Sequence, residues 1–291
     1  LHKFAYYVPN TVKEAAALLA KKPNGKVLAG GTDLLVQIKE HVKGMAPDFV
    51  VSVKNIKELK AVKFSAKDGA TIGAGVTIAE ALAAKGIREK FSALAQGAEI
   101  IGSLQIQNTA TIGGNICNAA PSADSVPALI AYGATATIAG PRKTRTVALE
   151  DFFVGPGKTV LAPDELLVAI NIPTPPAHSG CDYVRHTPRA QMDIAMVGVA
   201  SYVVLDKEGL IKEAKIVLGA VAPTPMRARQ AEELLRGNAP TDEFIAKAAN
   251  QAAMEESPIS DVRGSAGYRR YITSVLVKRT LLAAVKQAQG S

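Results

Sequence analysis

Apolar and polar positions along this chain change period several times, and the changes mark its elements. Residues 4–55 read as strand, helix, strand, turn, helix, strand, a small α/β unit. Within it, Thr11-Val12-Lys13-Glu14 has the form of a capping box ahead of an Ala/Leu run, and Val50-Val51-Ser52-Val53 is a β-branched exit strand. A second unit starts after Lys57. Ala70-Thr71-Ile72-Gly73-Ala74-Gly75-Val76 reads as a strand, and Thr77-Ile78-Ala79-Glu80 opens a helix with another capping box. Residues 87–105 predict a further helix, and residues 134–138 and 166–172 predict strands. Pro173-Thr174-Pro175-Pro176-Ala177 then interrupts the pattern, because proline fixes φ and has no N–H to give to a sheet or helix interior. A domain boundary is expected there. Beyond it come strands at 181–186, 195–205 and 215–220, followed only by helical patterns: 225–235 closing at Gly237, one capped by Thr241, and 268–285. Runs of strands followed by runs of helices predict an α+β domain.

One segment departs from the ordinary mixture of residues. From Glu99 to Asp124 there is no charged side chain between the two ends, so the stretch is expected to be buried or to hold a ligand. Its centre, Thr111-Ile112-Gly113-Gly114-Asn115, joins two residues without Cβ to hydroxyl and amide donors. Backbone N–H groups there can approach an anion closely, since glycine removes the steric barrier and permits positive φ. Ala29-Gly30-Gly31-Thr32-Asp33, directly after the apolar Val27-Leu28, is a second element of the same kind. Two such turns can close on one pyrophosphate from two sides. Either alone reads equally well as an ordinary strand-ending turn.

Composition narrows the function classes. The 291 residues are 48% hydrophobic and 21% charged, a globular balance that excludes wholesale disorder and allows two or three compact units. The longer uncharged segments are broken by Gly, Pro, Asn and Gln, so no membrane span is expected. Leu1-His2-Lys3 leads straight into a patterned segment, so no secretory leader is expected. A net charge of +8 allows a nucleic-acid binder, but the basic residues are dispersed and aromatics make up only 5%. Cys117 and Cys181 are the two cysteines, with no C-x-x-C, so no disulfide framework and no iron–sulfur site is expected. His178, Cys181 and His186 read as loop polar residues rather than a metal set. Gly155-Pro156-Gly157-Lys158-Thr159 lacks the first glycine of a P-loop and reads as a surface turn. Gly73-Ala74-Gly75 lacks the third glycine of a dinucleotide fingerprint, where Ile78 stands. No nucleophile elbow or acid–base pair stands out, so no catalytic residue and no metal ligand is assigned.

The combination of motifs is more specific than its parts. Ala29-Gly30-Gly31-Thr32-Asp33-Leu34, then Gln105-Ile106-Gln107-Asn108-Thr109-Ala110-Thr111-Ile112-Gly113-Gly114-Asn115, then Ala120-Pro121-Ser122-Ala123-Asp124 resemble the FAD-binding medium subunit of the molybdenum hydroxylases, the xanthine dehydrogenase and carbon monoxide dehydrogenase family. Ala222-Pro223-Thr224-Pro225-Met226-Arg227-Ala228 and Ser260-Asp261-Val262-Arg263-Gly264-Ser265-Ala266-Gly267-Tyr268-Arg269-Arg270 are similar to that family's second domain, so the resemblance spans nearly the whole chain. It implies a p-cresol methylhydroxylase-type FAD-binding fold of two α/β lobes, residues 1–57 and 58–177. A C-terminal α+β lobe of three-stranded antiparallel sheet with helices, residues 178–291, completes it. It also implies non-covalent FAD. Carried over by position, Leu28, Ala29, Gly30, Gly31, Thr32, Asp33 and Leu34 form one pyrophosphate loop, and Ala110, Thr111, Gly113, Gly114 and Asn115 the other. Asp124 matches an acidic contact toward the ribose or adenosine side, and Arg185 a basic residue near the flavin. Ile101 and Leu167 match apolar lining positions.

Two departures from the family are visible. Gln107 stands where arginine is usual, leaving phosphate to backbone amides and hydroxyls, and the cysteine-bearing insertion of some relatives is absent. By the same resemblance, a large subunit carries a molybdopterin cofactor and a small one carries two [2Fe–2S] clusters, in a dimer of heterotrimers. The FAD of this chain passes their electrons to an external acceptor. A cytoplasmic location is implied, with partners as the means of reaching the inner face of a membrane. Two other readings stay open: a free-standing flavoenzyme of the same fold, comparable to the reductase that makes UDP-N-acetylmuramate, and a basic nucleic-acid-binding protein.

Overall fold

A computed structural model describes residues 3–21 and 23–290. Leu1 and His2, where no leader was expected, lie outside the described residues. The first unit comprises β1 (Ala5–Tyr7), α1 (Val12–Lys21), β2 (Gly25–Leu28), α2 (Leu34–Lys39) and β3 (Phe49–Ser52). Its parallel sheet runs β1-β3-β2, and α1 lays Ala15, Ala16 and Leu19 on Phe49 and Val51. The order and types of these elements follow the sequence pattern. The capping box of α1 is displaced: the Thr11 hydroxyl accepts from the Glu14 N–H at 3.1 Å, but the Glu14 carboxylate accepts from Asn10, at 2.8 Å, rather than from Thr11.

The second unit contains β4 (Val62–Ser65), β5 (Gly69–Gly73), α3 (Ile78–Ala83), α4 (Lys85–Lys90), α5 (Ser92–Glu99), α6 (Leu104–Gln107), α7 (Ile112–Asn118) and α8 (Val126–Ala131). It continues with β6 (Thr135–Ala139), β7 (Thr144–Ala148), β8 (Phe153–Gly155), β9 (Lys158–Thr159) and β10 (Leu166–Ile172). An antiparallel sheet in the order β4-β5-β10-β6-β7 forms its base. Thr77 and Glu80 complete a full capping box on α3. The single helix expected over 87–105 is instead three short ones. Phe91 leaves helical geometry to bury its ring fully against Tyr132, at a centroid distance of 5.3 Å. Gly102 then turns the chain at φ +57, and Ser103 caps α6.

A bulge in β10 between Leu167 and Ala169 changes the side-chain parity of that strand. Leu166 and Val168 face the core of the first unit, whereas Leu167, Ile170 and Ile172 face the core of the second. One strand thereby serves both cores.

The C-terminal part contains β11 (Ser179–His186), β12 (Val197–Leu205), β13 (Ile211–Gly219), β14 (Met226–Arg227), α9 (Arg229–Leu235), α10 (Asp242–Glu255) and α11 (Ala266–Gln289). The expected three strands form its sheet, and the two-residue β14 adds a fourth at the edge of β13. Alternation decides what each face covers. Val197, Val199 and Val203 pack under the helices, while Ala200, Tyr202 and Val204 join Cys181 and Tyr183 in the core of the second unit. Every residue of β12 is buried. Among the described residues, no helix is long and apolar enough to cross a membrane.

Candidate functional site

β2 ends at the buried Leu28, and the chain turns through Ala29, Gly30, Gly31 and Thr32 into α2, with Asp33 at its N-cap. Gly31 takes φ +78, a conformation that side chains with Cβ rarely adopt. Gly30 is constrained by contact instead. A Cβ there would lie 2.8 Å from Ala110 Cα and closer still to the Thr109 carbonyl oxygen. The two segments singled out in the sequence therefore touch. Among the described residues, no acceptor is found for the backbone N–H groups of residues 29–34, and the Asp33 side chain makes no capping bond. Unpaired backbone donors are rare in folded proteins, and a run of them makes an anion-binding concavity.

The second segment differs from its expected form. Gly113 and Gly114 are not a turn with positive φ but the second and third residues of α7. Thr111 is the N-cap, and its hydroxyl accepts from the Gly114 N–H at 2.9 Å. Gly113 is required by packing, since a Cβ would lie 2.5 Å from Ala74 Cβ. At Gly114 a Cβ would meet nothing but the Thr111 hydroxyl oxygen, at 2.9 Å, so bare helical backbone is presented to open space. Asn115 Oδ1 accepts from the Ser125 hydroxyl at 2.7 Å, which leaves the amide nitrogen as a donor. The segment is held down by Ile78 N–H on the Ala110 carbonyl, at 2.9 Å, and by Ile112 N–H on Val76, at 3.1 Å. Gly73, the first glycine of the incomplete dinucleotide pattern, packs on Leu59, whose carbonyl carbon a Cβ would approach to 2.5 Å.

Asp124 and Arg185, which the sequence suggests only as separate contacts, form an ion pair. Arg185 Nη1 donates to Asp124 Oδ2 at 2.5 Å, and Tyr183 Oη donates to Oδ1 at 2.8 Å. The pair lies between the second unit and β11, with side chains 6% and 8% exposed. Burial pushes the Asp124 carboxyl up to about 6, against the pull of the Arg185 charge and the two hydrogen bonds. The same burial raises the Tyr183 hydroxyl well above its ordinary value, so it stays a donor. Arg185 Nη2 is enclosed and has no acceptor among the described residues.

Ile101 is half-buried in the loop after α5, and Leu167 is buried beside the β10 bulge, both in the core of the second unit. Gln107 Nε2 donates to the carbonyls of Glu99, at 2.8 Å, and Ile101, at 3.1 Å. Its amide thus closes the loop that carries Ile101. Tyr183 and Ser125, the partners of Asp124 and Asn115, had no signal in the sequence, because each reaches its place only by packing. Gln37 of α2 meets Asn118 of α7 at 3.4 Å in the same way. Burial pushes the Cys117 thiol of α7 up to about 12, which keeps it neutral.

A row of unpaired N–H groups, an open helical backbone beside it and an enclosed guanidinium nitrogen without an acceptor together fit a dinucleotide bearing a pyrophosphate and an acceptor-rich ring. The comparisons agree. Residues 2–175 match the FAD binding domain in molybdopterin dehydrogenase, and residues 182–284 the CO dehydrogenase flavoprotein C-terminal domain. The chain is 34% identical over 288 residues to the xanthine dehydrogenase FAD-binding subunit of Escherichia coli O157:H7, covering 98% of this chain and 97% of that one. It is 32% identical over 286 residues to the carbon monoxide dehydrogenase medium chain of Hydrogenophaga pseudoflava, covering 97% of each. Its fold matches a chain of reconstituted CO dehydrogenase from Oligotropha carboxidovorans with a TM-score of 0.92, at 30% identity over 98% of each. The chain belongs to the FAD-binding subunits of the molybdenum hydroxylases, the family of the xanthine and carbon monoxide dehydrogenases.

Proposed function

We propose that this chain carries electrons, through FAD, from the iron–sulfur clusters of one partner subunit to an external acceptor. The observation that carries the reading is the run of N–H groups from residues 29–34, without acceptors among the described residues, pressed against Thr109 and Ala110. Those groups, with the N-terminal backbone of α7 and the Asn115 amide, would hold the pyrophosphate; Ile101 and Leu167 would line the apolar side, and Asp124 and Arg185 the polar side. Non-covalent FAD supplies the redox chemistry, accepting electrons singly and releasing them singly or in pairs. The chain's own share is binding, orientation and exclusion of water, so no residue is assigned as an acid–base catalyst.

Two cysteines, one in α7 and one buried in β11, are too few to ligate an iron–sulfur cluster, so in this reading the clusters belong to a partner subunit. The proposed assembly is a dimer of heterotrimers with a large molybdopterin subunit and a small subunit bearing two [2Fe–2S] clusters. A division into residues 1–57, 58–177 and 178–291 and a cytoplasmic site of action, at the inner face of a membrane where partners lead it there, belong to the same reading. Native purification with mass spectrometry, flavin release and metal analysis tests it. Co-purification of FAD, molybdenum and iron with two further polypeptides is expected. An active species of this polypeptide alone, free of molybdenum and iron, overturns the subunit assignment in favour of a free-standing flavoenzyme.

A further inference from the structure

Arginine–carboxylate pairs frequently close as a fork, two nitrogens on two oxygens. Among the described residues this chain does so twice. Arg145 donates from Nε to Glu165 Oε1 at 2.8 Å and from Nη2 to Oε2 at 2.7 Å. Arg227 donates from Nε to Glu232 Oε1 at 3.0 Å and from Nη2 to Oε2 at 2.6 Å. Arg185, 6% exposed against 30% and 16%, reaches Asp124 with one nitrogen on one oxygen; Arg269, 3% exposed, meets Asp261 in the same way but gives Nη1 to the Met196 and Ala220 carbonyls, whereas Arg185 Nη2 has no acceptor among the described residues. The second oxygen of Asp124 is held by the Tyr183 hydroxyl. Space for that hydroxyl is cleared by a glycine. Gly198 stands directly across the ladder from Arg185, and a Cβ there would lie 2.8 Å from Tyr183 Oη. Gly97 clears the other side, where a Cβ would run into the Asp124 carbonyl and reach 3.4 Å from Tyr183 Cδ1.

We propose that Tyr183 is a positioning residue for the cofactor: its hydroxyl, bonded to Asp124 Oδ1, fixes the carboxylate on which Arg185 rests by Nη1 and so holds Arg185 Nη2 toward a hydrogen-bond acceptor on the flavin ring. The inference rests on the reading that FAD binds beside Arg185. Without the hydroxyl the carboxylate loses the donor that fixes its orientation, and the guanidinium can turn with it and withdraw Nη2 from the ring. A carboxylate, a phenol and a guanidinium from two parts of the fold thereby set the direction of one N–H.

Three variants, each titrated with FAD as the full chain, test this. Tyr183→Phe keeps the ring in the core and removes only the hydroxyl. Gly198→Ala removes no polar group but displaces the hydroxyl, at the movable end of a side chain. Both are expected to raise the FAD dissociation constant roughly tenfold, the scale of one charge-assisted hydrogen bond. They should also shift the visible absorption bands of the bound flavin in the same direction as Arg185→Gln. A loss of folding stability alone does not move those bands. Wild-type affinity and spectrum in Tyr183→Phe and Gly198→Ala, beside altered values in Arg185→Gln, overturn the positioning role while leaving Arg185 at the flavin. Unchanged values in Arg185→Gln as well overturn the placement of FAD on which the inference rests.

Discussion

Replacing Gly30 by alanine tests the junction of the two cofactor segments. The added methyl would lie 2.8 Å from Ala110 Cα, whereas carbon atoms normally settle at about 3.5–4.0 Å, so the segments must part by roughly 1 Å. Gly30 does not have a positive φ, so the cost comes from contact and not from backbone conformation. Overpacking of this size costs about 1–3 kcal/mol of stability, which leaves a folded chain. Parting the segments also moves the N–H groups of residues 29–34 away from Thr111 and Gly114 on the other side. If one to two charge-assisted hydrogen bonds to phosphate are lost, FAD binding weakens on the order of 100-fold. Thermal unfolding with and without FAD reads this directly. At an FAD concentration about 100 times the wild-type dissociation constant, the cofactor adds about 2.7 kcal/mol to the wild type. At the same concentration the variant, bound 100-fold more weakly, gains only about 0.4 kcal/mol. Gly44→Ala is the control for strain without contact, a glycine at φ +83 with nothing within 4 Å of the added carbon. A Gly30→Ala protein that gains as much from FAD as the wild type would refute the reasoning, because the contact between segments would then be irrelevant to the cofactor.

Gly114→Val is expected to abolish FAD binding while the apo chain still melts cooperatively, since its methyls enter the open side of α7 and disturb little but the Thr111 cap; retained FAD in an equilibrium dialysis experiment would show that side to be empty of cofactor. Gln107→Leu leaves the Glu99 and Ile101 carbonyls without their donor and should cost about 1–3 kcal/mol in urea unfolding, whereas Gln107→Arg, which can still donate to both, should stay within about 1 kcal/mol of wild type. Glu256 is 5% exposed, has one oxygen without a partner among the described residues, and is pushed up to about 7 by burial. Its folded state therefore binds more protons than the unfolded chain between about pH 4.5 and 7, and stability falls as pH rises through that window. Glu256→Gln should remove that fall, on the order of 3 kcal/mol, and an unchanged pH profile of unfolding would count against it.

The local signals in the sequence proved adequate wherever the cause was itself local. Thr77 and Glu80 cap α3, prolines mark the exit from β10, and the alternating strands after residue 178 form a sheet, because each depends on residues within a few positions. The glycine at position 31 is legible for the same reason, as a residue that must take positive φ after a strand. Motifs at compatible spacings made the family recognisable, and the family brings with it a cofactor that composition alone does not name. Only the tertiary structure decided the rest. Phe91 breaks an otherwise helical pattern because its ring has a buried place to go, and the Gly113-Gly114 pair becomes helix rather than turn because Thr111 caps it and Ala74 packs against it. Tyr183, Asp124 and Arg185 meet because strand register and a glycine across the ladder bring them together, and contacts between residues so distant in the chain leave no periodic mark on it.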